Sequence, residues 1–272
     1  MEQLVRQIAQ QLQSRYYGKY RGFVVDNRDP EQRGRLKVRV PSVLGGQDTG
    51  WALPCLPFGG LANQGLFLVP EVNAQVWVEF EEGNVDHPIW VGVFWQQSGD
   101  IPEEAALAEP TTRVLRTPSG HVLQFDDQSG SEQFRLAHPA GTELTIDAQG
   151  TVVLTDAAGA TLTLDASGRS VTLEDSIGNS LTMSSSGTVI EDSNGNKIEM
   201  AAAGITLKGT SITIEGQQVN LGGQGGEPLL KAQTFMGLYA SHTHICTAPG
   251  APSGPPLPPL TPAAMTMKSK AL

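Results

Sequence analysis

The sequence is most clearly short of aromatic side chains, since none occurs between Phe134 and Phe235. Large rings supply much of the buried area in an ordinary globular core. Their absence excludes such a core for this part of the chain, whose stability has to come from many small, repeated contacts. All four tryptophans lie upstream, at Trp51, Trp77, Trp90 and Trp95.

Basic residues are also scarce. The 272-residue chain has 18 Lys and Arg against 28 Asp and Glu, giving a formal net charge of -10 with no basic run. Nucleic-acid binding depends on Lys and Arg that neutralise phosphates. The composition therefore predicts a protein without a nucleic-acid partner.

Cysteines and long apolar runs are few or missing. Cys55 and Cys246 are too far apart to form a paired metal motif, and we interpret them as small buried thiols in a reducing compartment. The sequence contains neither an 18-residue apolar run nor the layout of a signal peptide. It therefore predicts a soluble protein that is made in the cytosol.

The first 116 residues divide into three segments. Residues 1–16 place Leu4, Ile8 and Leu12 on one stripe of a short helix, which we expect to dock on another surface. Residues 17–97 alternate apolar and polar positions in short runs, which predicts a small antiparallel barrel. Residues 98–116 are polar and flanked by proline, as is typical of a linker.

A nine-residue repeat fills residues 117–222, which we predict to form a shaft. Glycines recur at 141, 150, 159, 168, 178, 187, 195 and 204, and aliphatic residues alternate with threonines between them, as in Leu162, Thr163 and Leu164. The alternation predicts short strands with aliphatic side chains, including Leu164, on the inner face. Ile212 and Ile214 continue the pattern. Because one unit buries too little apolar surface to stand alone, the repeat predicts a stacked β-structure.

Two kinds of stack fit this period. A single chain could coil as a calcium-binding β-roll, with Asp147, Asp156, Asp165 and Glu174 recurring in step. These carboxylates lack the second glycine of that motif, so we interpret them as an outward acidic row. The alternative, which we favour, is an interleaved homotrimer in which each chain provides one wall of a prism.

Residues 223–272 hold a candidate metal site. On an extended strand, His242 and His244 point to the same side, and three chains would offer six imidazoles to an octahedral first-row metal such as iron. The other histidines, His87, His121 and His138, are dispersed and are interpreted as structural. The proline-rich run after Pro249 cannot join a regular ladder and predicts a rigid cap.

Three features together resemble the central spikes of contractile phage tails and injection systems, a family that includes phage baseplate assembly protein V and the valine-glycine repeat protein G of type VI secretion. The features are the segment Gly22–Pro41 with its D-P-x-x-x-G-R-L-K-V-R-V-P motif, the repeat, and the terminal His-x-His. The W-A-x-P motif at 51–54 adds to the first of them.

The resemblance implies an all-β fold: an N-terminal OB-fold barrel followed by a triple-stranded, intertwined homotrimeric β-helix needle. It also implies an iron ion on His242 and His244, assembly into a virion tail or injection-system baseplate, and contacts with hub and tail-tube proteins. The 28 residues after His244 leave open whether the C-terminus is the apex or a platform for a separate tip protein. The short linker leaves no room for an inserted lysozyme domain.

The predicted function is structural, namely a spike that punctures the target envelope and contacts its membrane transiently. Such a spike needs no catalysis, and we do not expect an enzyme. The alternative is an OB-fold binding module displayed on a fibrous stalk, as in a tail fibre or adhesin.

Overall fold

The protein is nearly all β. The computed structural model describes residues 15–107, 109–217 and 232–242, and these contain two sheets with a few short helices. The predicted all-β fold class is therefore confirmed. The predicted helix over 1–16 and the proline-rich cap lie outside the described residues, except for residues 15 and 16.

Sixteen strands, two α-helices and two 3₁₀ turns make up the described elements. The strands are β1 (Tyr20–Asp26), β2 (Lys37–Arg39), β3 (Leu53–Pro54), β4 (Gln75–Phe80), β5 (Pro88–Val93), β6 (Thr112–Arg116), β7 (Val122–Asp126), β8 (Gln133–Ala137), β9 (Glu143–Ile146), β10 (Val152–Thr155), β11 (Thr161–Asp165), β12 (Ser170–Glu174), β13 (Ser180–Ser184), β14 (Gly187–Glu191), β15 (Lys197–Ala201) and β16 (Gly204–Lys208). The helices are α1 (Pro41–Leu44) and α2 (Ala232–Ser241), and the 3₁₀ turns are Glu81–Gly83 and Glu103–Ala105.

The first sheet forms the barrel. Its five strands follow the order β2-β1-β4-β5-β3, and β3 alone pairs in parallel, with β5. The core contains the inward residues of the alternating runs, which are Val24, Leu36, Val38, Val40, Ala52, Val76, Val78, Phe80 and Trp90. The indole N–H of Trp90 donates to the carbonyl oxygen of Gly34 at 3.0 Å, so the one polar group of this large ring is satisfied.

The second sheet is a meander of eleven strands. They run consecutively from β6 to β16, and the pairs with an assigned register are all antiparallel. A single-chain β-roll would require parallel neighbours, so the strand order contradicts that alternative. The sheet begins at Thr112, inside the segment predicted as a linker.

Two local expectations differ from the structure, one about residues 211–216 and one about Cys55. Residues 211–216 form no strand, although Ile212 and Ile214 continue the alternating pattern. A pattern specifies a strand only where a neighbour supplies ladder hydrogen bonds. Cys55 is exposed and not buried, because it follows the edge strand β3.

The chain divides after Leu207 into two units, and the described part of the second unit contains α2. Among the described residues, no helix combines the length and the apolar character needed to cross a membrane.

Candidate functional site

The main candidate for a functional surface is one face of the eleven-stranded sheet. Residues that pair across antiparallel strands share a face, and so do residues two apart along one strand. The pairing therefore aligns two apolar rows on one face, which we call the apolar face. Its first row is Leu115, Leu123, Leu136, Leu144, Leu154, Leu162, Leu173, Leu181, Ile190 and Ile198. Its second row is Arg113, Phe125, Phe134, Ile146, Val152, Leu164, Val171, Met183, Thr188 and Met200.

The apolar face is not covered by the described part of the chain. Leu164 is 42% exposed, Leu173 51% and Ile190 45%, although each lies in the middle of a sheet. Soluble monomers rarely expose contiguous apolar patches larger than a few hundred Å². The rows cross ten strands, β6 to β15, and nine strand spacings of about 4.8 Å make this patch about 43 Å long. Such a surface is typical of an interface.

The opposite face is polar. Its central row is mostly polar, with Gln124, Arg135, Thr145, Thr163, Thr172, Thr182 and Glu199, and the valines Val114, Val153 and Val189 interrupt it. Near the barrel end, the Arg116 guanidinium on this face binds Glu103, with Nη1 2.7 Å from Oε1, and also binds Glu104. The chain thus covers part of its polar face with its own 3₁₀ turn, whereas the apolar face has no such cover among the described residues.

The acidic residues predicted as an outward row are mostly turn acceptors. Asp147 Oδ1 accepts the backbone N–H groups of Gln149 at 2.9 Å and Thr151 at 2.8 Å. Asp156 makes the same pair of bonds with residues 158 and 160, both at 2.8 Å. Each carboxylate therefore closes a hairpin turn, where the glycine three residues on has a positive φ. Glu174, in contrast, lies within β12.

Asp175 and Asp192 close two further turns of the same kind, which the sequence analysis did not single out. Hydrogen bonds from the side-chain and backbone N–H groups of Asn179 lower the pKa of Asp175, and those of Asn196 do the same for Asp192. Because these carboxylates are engaged by their own turns, they do not form a cluster. No group of three or more His, Cys, Asp or Glu among the described residues could hold a metal ion.

The first turn of the barrel contains a carboxylate whose role the sequence did not reveal. Asp29 accepts the backbone N–H groups of Glu31, Arg33 and Arg35 at 3.0, 2.8 and 3.2 Å. The Arg35 side chain adds bonds from Nε at 3.0 Å and Nη2 at 2.6 Å. These bonds hold the pKa of Asp29 far below its usual range, and the bonds from the Arg35 side chain contribute most. Burial of the carboxylate opposes the shift. The arrangement fixes a turn and leaves no lone pair for chemistry.

The histidines fall into two described groups. His242 follows α2 directly, and its Nδ1 lies 2.6 Å from the carbonyl oxygen of Tyr239, whose ring also contacts the imidazole. A carbonyl oxygen can only accept a hydrogen bond, so Nδ1 is the donor, and a neutral His242 carries its proton on Nδ1. Metal-binding histidines commonly have this arrangement. His244, the second predicted ligand, lies outside the described residues.

His121 and His138 are neighbours on adjacent hairpin turns, with ring centroids 4.8 Å apart. His138 Nδ1 accepts the backbone N–H of Ala140 at 3.1 Å, and His121 Nδ1 lies 3.0 Å from Ser119 Oγ. Both imidazoles are thus built into turns. His138 takes the position that aspartate has further along the sheet, whereas in the turn of His121 that position belongs to Thr117. The sequence analysis treated them as dispersed and missed this pairing.

Comparison with known proteins identifies the barrel. Residues 20–95 match the family described as the type VI secretion system/phage-baseplate injector OB domain. The pre-baseplate central spike protein Gp5 of Enterobacteria phage T4 is 42% identical over 41 residues, which are 15% of this chain and 7% of that protein. The actin cross-linking toxin VgrG1 of Vibrio cholerae serotype O1 is 29% identical over 115 residues, which are 39% of this chain and 10% of that protein.

Solved structures add nothing to this result. The G-box domain of the microcephaly protein CPAP aligns with 70% of this chain and 99% of that chain at 11% identity, with a TM-score of 0.27. A likeness this low carries no inference.

The barrel segment is thus similar to the injector OB domains of phage baseplates and type VI secretion systems, over residues 20–95 of the 272-residue chain. The resemblance to central spike proteins that the sequence indicated is therefore confirmed, although the matched segments span only 7% and 10% of the two curated relatives.

Proposed function

We propose that this chain is the central spike of a contractile tail or injection-system baseplate. The observation that carries the proposal is the apolar face, which extends over ten strands of the sheet that follows the barrel matched by the injector OB family. A needle that transmits force requires a stiff shaft, and a continuous ladder of strands supplies one.

The partner that fits the apolar face best is a second and third copy of the same chain. Its rows run for about 43 Å, and a copy presents rows of the same length, spacing and apolar character. Each strand directs only two side chains to this face, as Leu162 and Leu164 of β11 do. Three narrow walls can close around one axis with six side chains per layer, and each chain then forms one wall of a prism.

In such a prism the polar faces point outward and the aliphatic rows fill the axis. Puncturing of the target envelope follows from this geometry, because a thin and rigid prism concentrates the force of sheath contraction. The role requires no catalytic group. In the baseplate the chain would contact hub and tail-tube components, and a separate tip protein would be a further partner.

A metal ion shared by three chains at His242 and His244 is part of this proposal. The contact of His242 Nδ1 with the carbonyl oxygen of Tyr239 supports it, because bonds of this kind commonly orient metal-binding imidazoles. Iron, or another octahedral first-row metal, suits six imidazole nitrogens. Bound there, the ion would cross-link the three chains.

The experiment that tests the proposed function locates the chain in its particle. Contractile particles are purified from the producing cells with a gold-binding tag on the N-terminus of this chain and are imaged by negative-stain electron microscopy. We expect gold at the centre of the baseplate. Gold on peripheral fibres would support the tail-fibre alternative instead, and particles that lack the chain would contradict both functions.

A further inference from the structure

The regularity of the apolar face raises a question of register between copies. From β9 to β13 both rows hold aliphatic residues at every strand. Neighbouring strands run in opposite directions, so the pattern of the sheet repeats every two strands. Measured across the strands, this repeat is about 9.6 Å. A copy displaced by that distance would again place aliphatic rows against aliphatic rows. Uniform rows therefore do not specify one alignment.

Besides Arg113 on the first strand, β6, two features interrupt this uniformity. Phe125 and Phe134 are the aromatic residues of the second row, on the adjacent strands β7 and β8, with ring centroids 5.4 Å apart. Thr188, on β14, interrupts the aliphatic part of the row between its cross-strand partners Met183 and Met200. Each feature occurs at one level of the sheet, so each distinguishes the aligned arrangement from a displaced one.

We propose that Phe125, Phe134 and Thr188 set the axial register in which copies of this chain pack through their apolar faces. The inference rests on the proposed homotrimeric spike and adds the residues that determine its alignment. Aligned copies share one aromatic level near the barrel and one hydroxyl level about six strands further along.

The two phenylalanines act through volume. A displacement by two strands moves Phe125 to the level of Ile146, and Phe134 to the level of Val152. Rings would then enter a space fitted by aliphatic side chains, and the levels they left would be underfilled. Both overpacking and cavities destabilise a close-packed interior.

Thr188 acts through its hydroxyl. In aligned copies three hydroxyls lie at one level, where they can hydrogen-bond to each other. In a displaced copy the hydroxyl would lie at the level of Val171 on β12, among aliphatic groups that cannot bond to it. An unpaired buried hydroxyl is unfavourable. A single polar residue in a repetitive apolar core is a known way to fix register at some cost in stability.

The test measures distances between copies of the full-length chain. Cys55 and Cys246 are replaced by serine, and a nitroxide label is attached to Ala202→Cys in the exposed turn between β15 and β16. Pulsed electron paramagnetic resonance then reports the separations of labels. With the native apolar face we expect one interchain distance.

In the same background, Phe125→Leu, Phe134→Leu and Thr188→Val together should add a second, longer distance. If one copy is displaced along the axis, its label moves away from the labels of the other two copies. The square of each of these two distances grows by the square of the axial offset of about 9.6 Å. As the control, Leu136→Val with Leu144→Val removes apolar volume from the uniform row. The control should lower the thermal midpoint and keep the single distance.

A single, unchanged distance in the triple variant would overturn the inference and leave the trimer intact. If the triple variant with two leucines does not assemble, the test is repeated with Phe125→Met, Phe134→Met and Thr188→Val, in which methionine replaces leucine. Thr188→Val alone should raise the thermal midpoint, and a lowered midpoint would count against the role of the hydroxyl. The absence of any interchain distance with the native face would contradict the shared face and this inference together.

Discussion

Leu164 of β11 lies directly opposite Val171 of β12, and both aliphatic side chains project from the apolar face. Leu164 remains 42% exposed in the single chain. In a three-chain prism this position is buried at the axis, so an Asp there would place three carboxylates together. Removing an ion from water costs several kcal/mol. We therefore expect Leu164→Asp to raise the concentration needed for assembly by at least about 100-fold, as measured by analytical ultracentrifugation.

Thr163 provides the matched control, because its side chain lies on the opposite, polar face of the same strand. Thr163→Asp should assemble at the wild-type concentration. Equal effects of the two substitutions would show that charge on the strand, and not burial on the apolar face, is responsible.

The barrel should depend on ionised Asp29. Because the folded-state pKa of Asp29 lies below the value of an unfolded chain, its stabilisation is complete above about pH 4 and is lost as the pH falls further. Asp29→Asn should lower the thermal midpoint at pH 7, monitored through tryptophan fluorescence, and the difference from the wild type should shrink below about pH 4. Asp86→Asn, in an exposed turn, should have little effect at either pH. A difference that stayed constant with pH would contradict the ionic role of Asp29.

Gly187 at the start of β14 should not tolerate a side chain. Its φ is 138°, and an added Cβ would lie 2.1 Å from the carbonyl oxygen of Met200 on the paired strand. Gly187→Ala should destabilise the pairing of β14 with β15 by at least about 1–3 kcal/mol, which hydrogen exchange of these strands measures.

Gly195 is the comparison for that substitution, since it also has a positive φ but open space around its Cα. Gly195→Ala should cost only the backbone strain. If the two variants exchanged equally fast in β14 and β15, the close contact with Met200 would not be the cause.

The proposed metal site predicts about one metal ion per three chains, because six imidazoles complete one octahedral shell. Elemental analysis of the purified protein should find it, and His242→Ala with His244→Ala should remove it. His87→Ala, on the barrel, should keep the metal. Retention of metal by the double variant would place the ion elsewhere.

The alternation of Leu162, Thr163 and Leu164 was enough to predict the two faces of the sheet, since strand geometry fixes which side chains share a face. The start of the sheet was harder to predict, since the repeat placed it at residue 117, whereas β6 begins at Thr112. Phe125 and Phe134 lie outside the aromatic-free stretch, yet they continue the same rows. The glycines at 120 and 130 indicate that the repeat already includes these two phenylalanines, because they occur at nearly the same spacing as the later glycines.

The first turn of the barrel shows what sequence alone leaves open. Asp26, Asp29 and Glu31 look alike as acidic turn residues, but only Asp29 is buried. Its burial depends on Arg35 folding back across the turn to reach its carboxylate, which is a tertiary arrangement. Similarly, the nine-residue period of Asp147 and Asp156 predicted a row but not the hairpin turns that each one closes.

The mass of the purified chain in solution tests the central claim most directly. Size-exclusion chromatography with multi-angle light scattering at micromolar concentration should report three times the 28.9 kDa of one chain. A mass of 28.9 kDa at that concentration would mean that the apolar face is not shared between copies, and would contradict the prism.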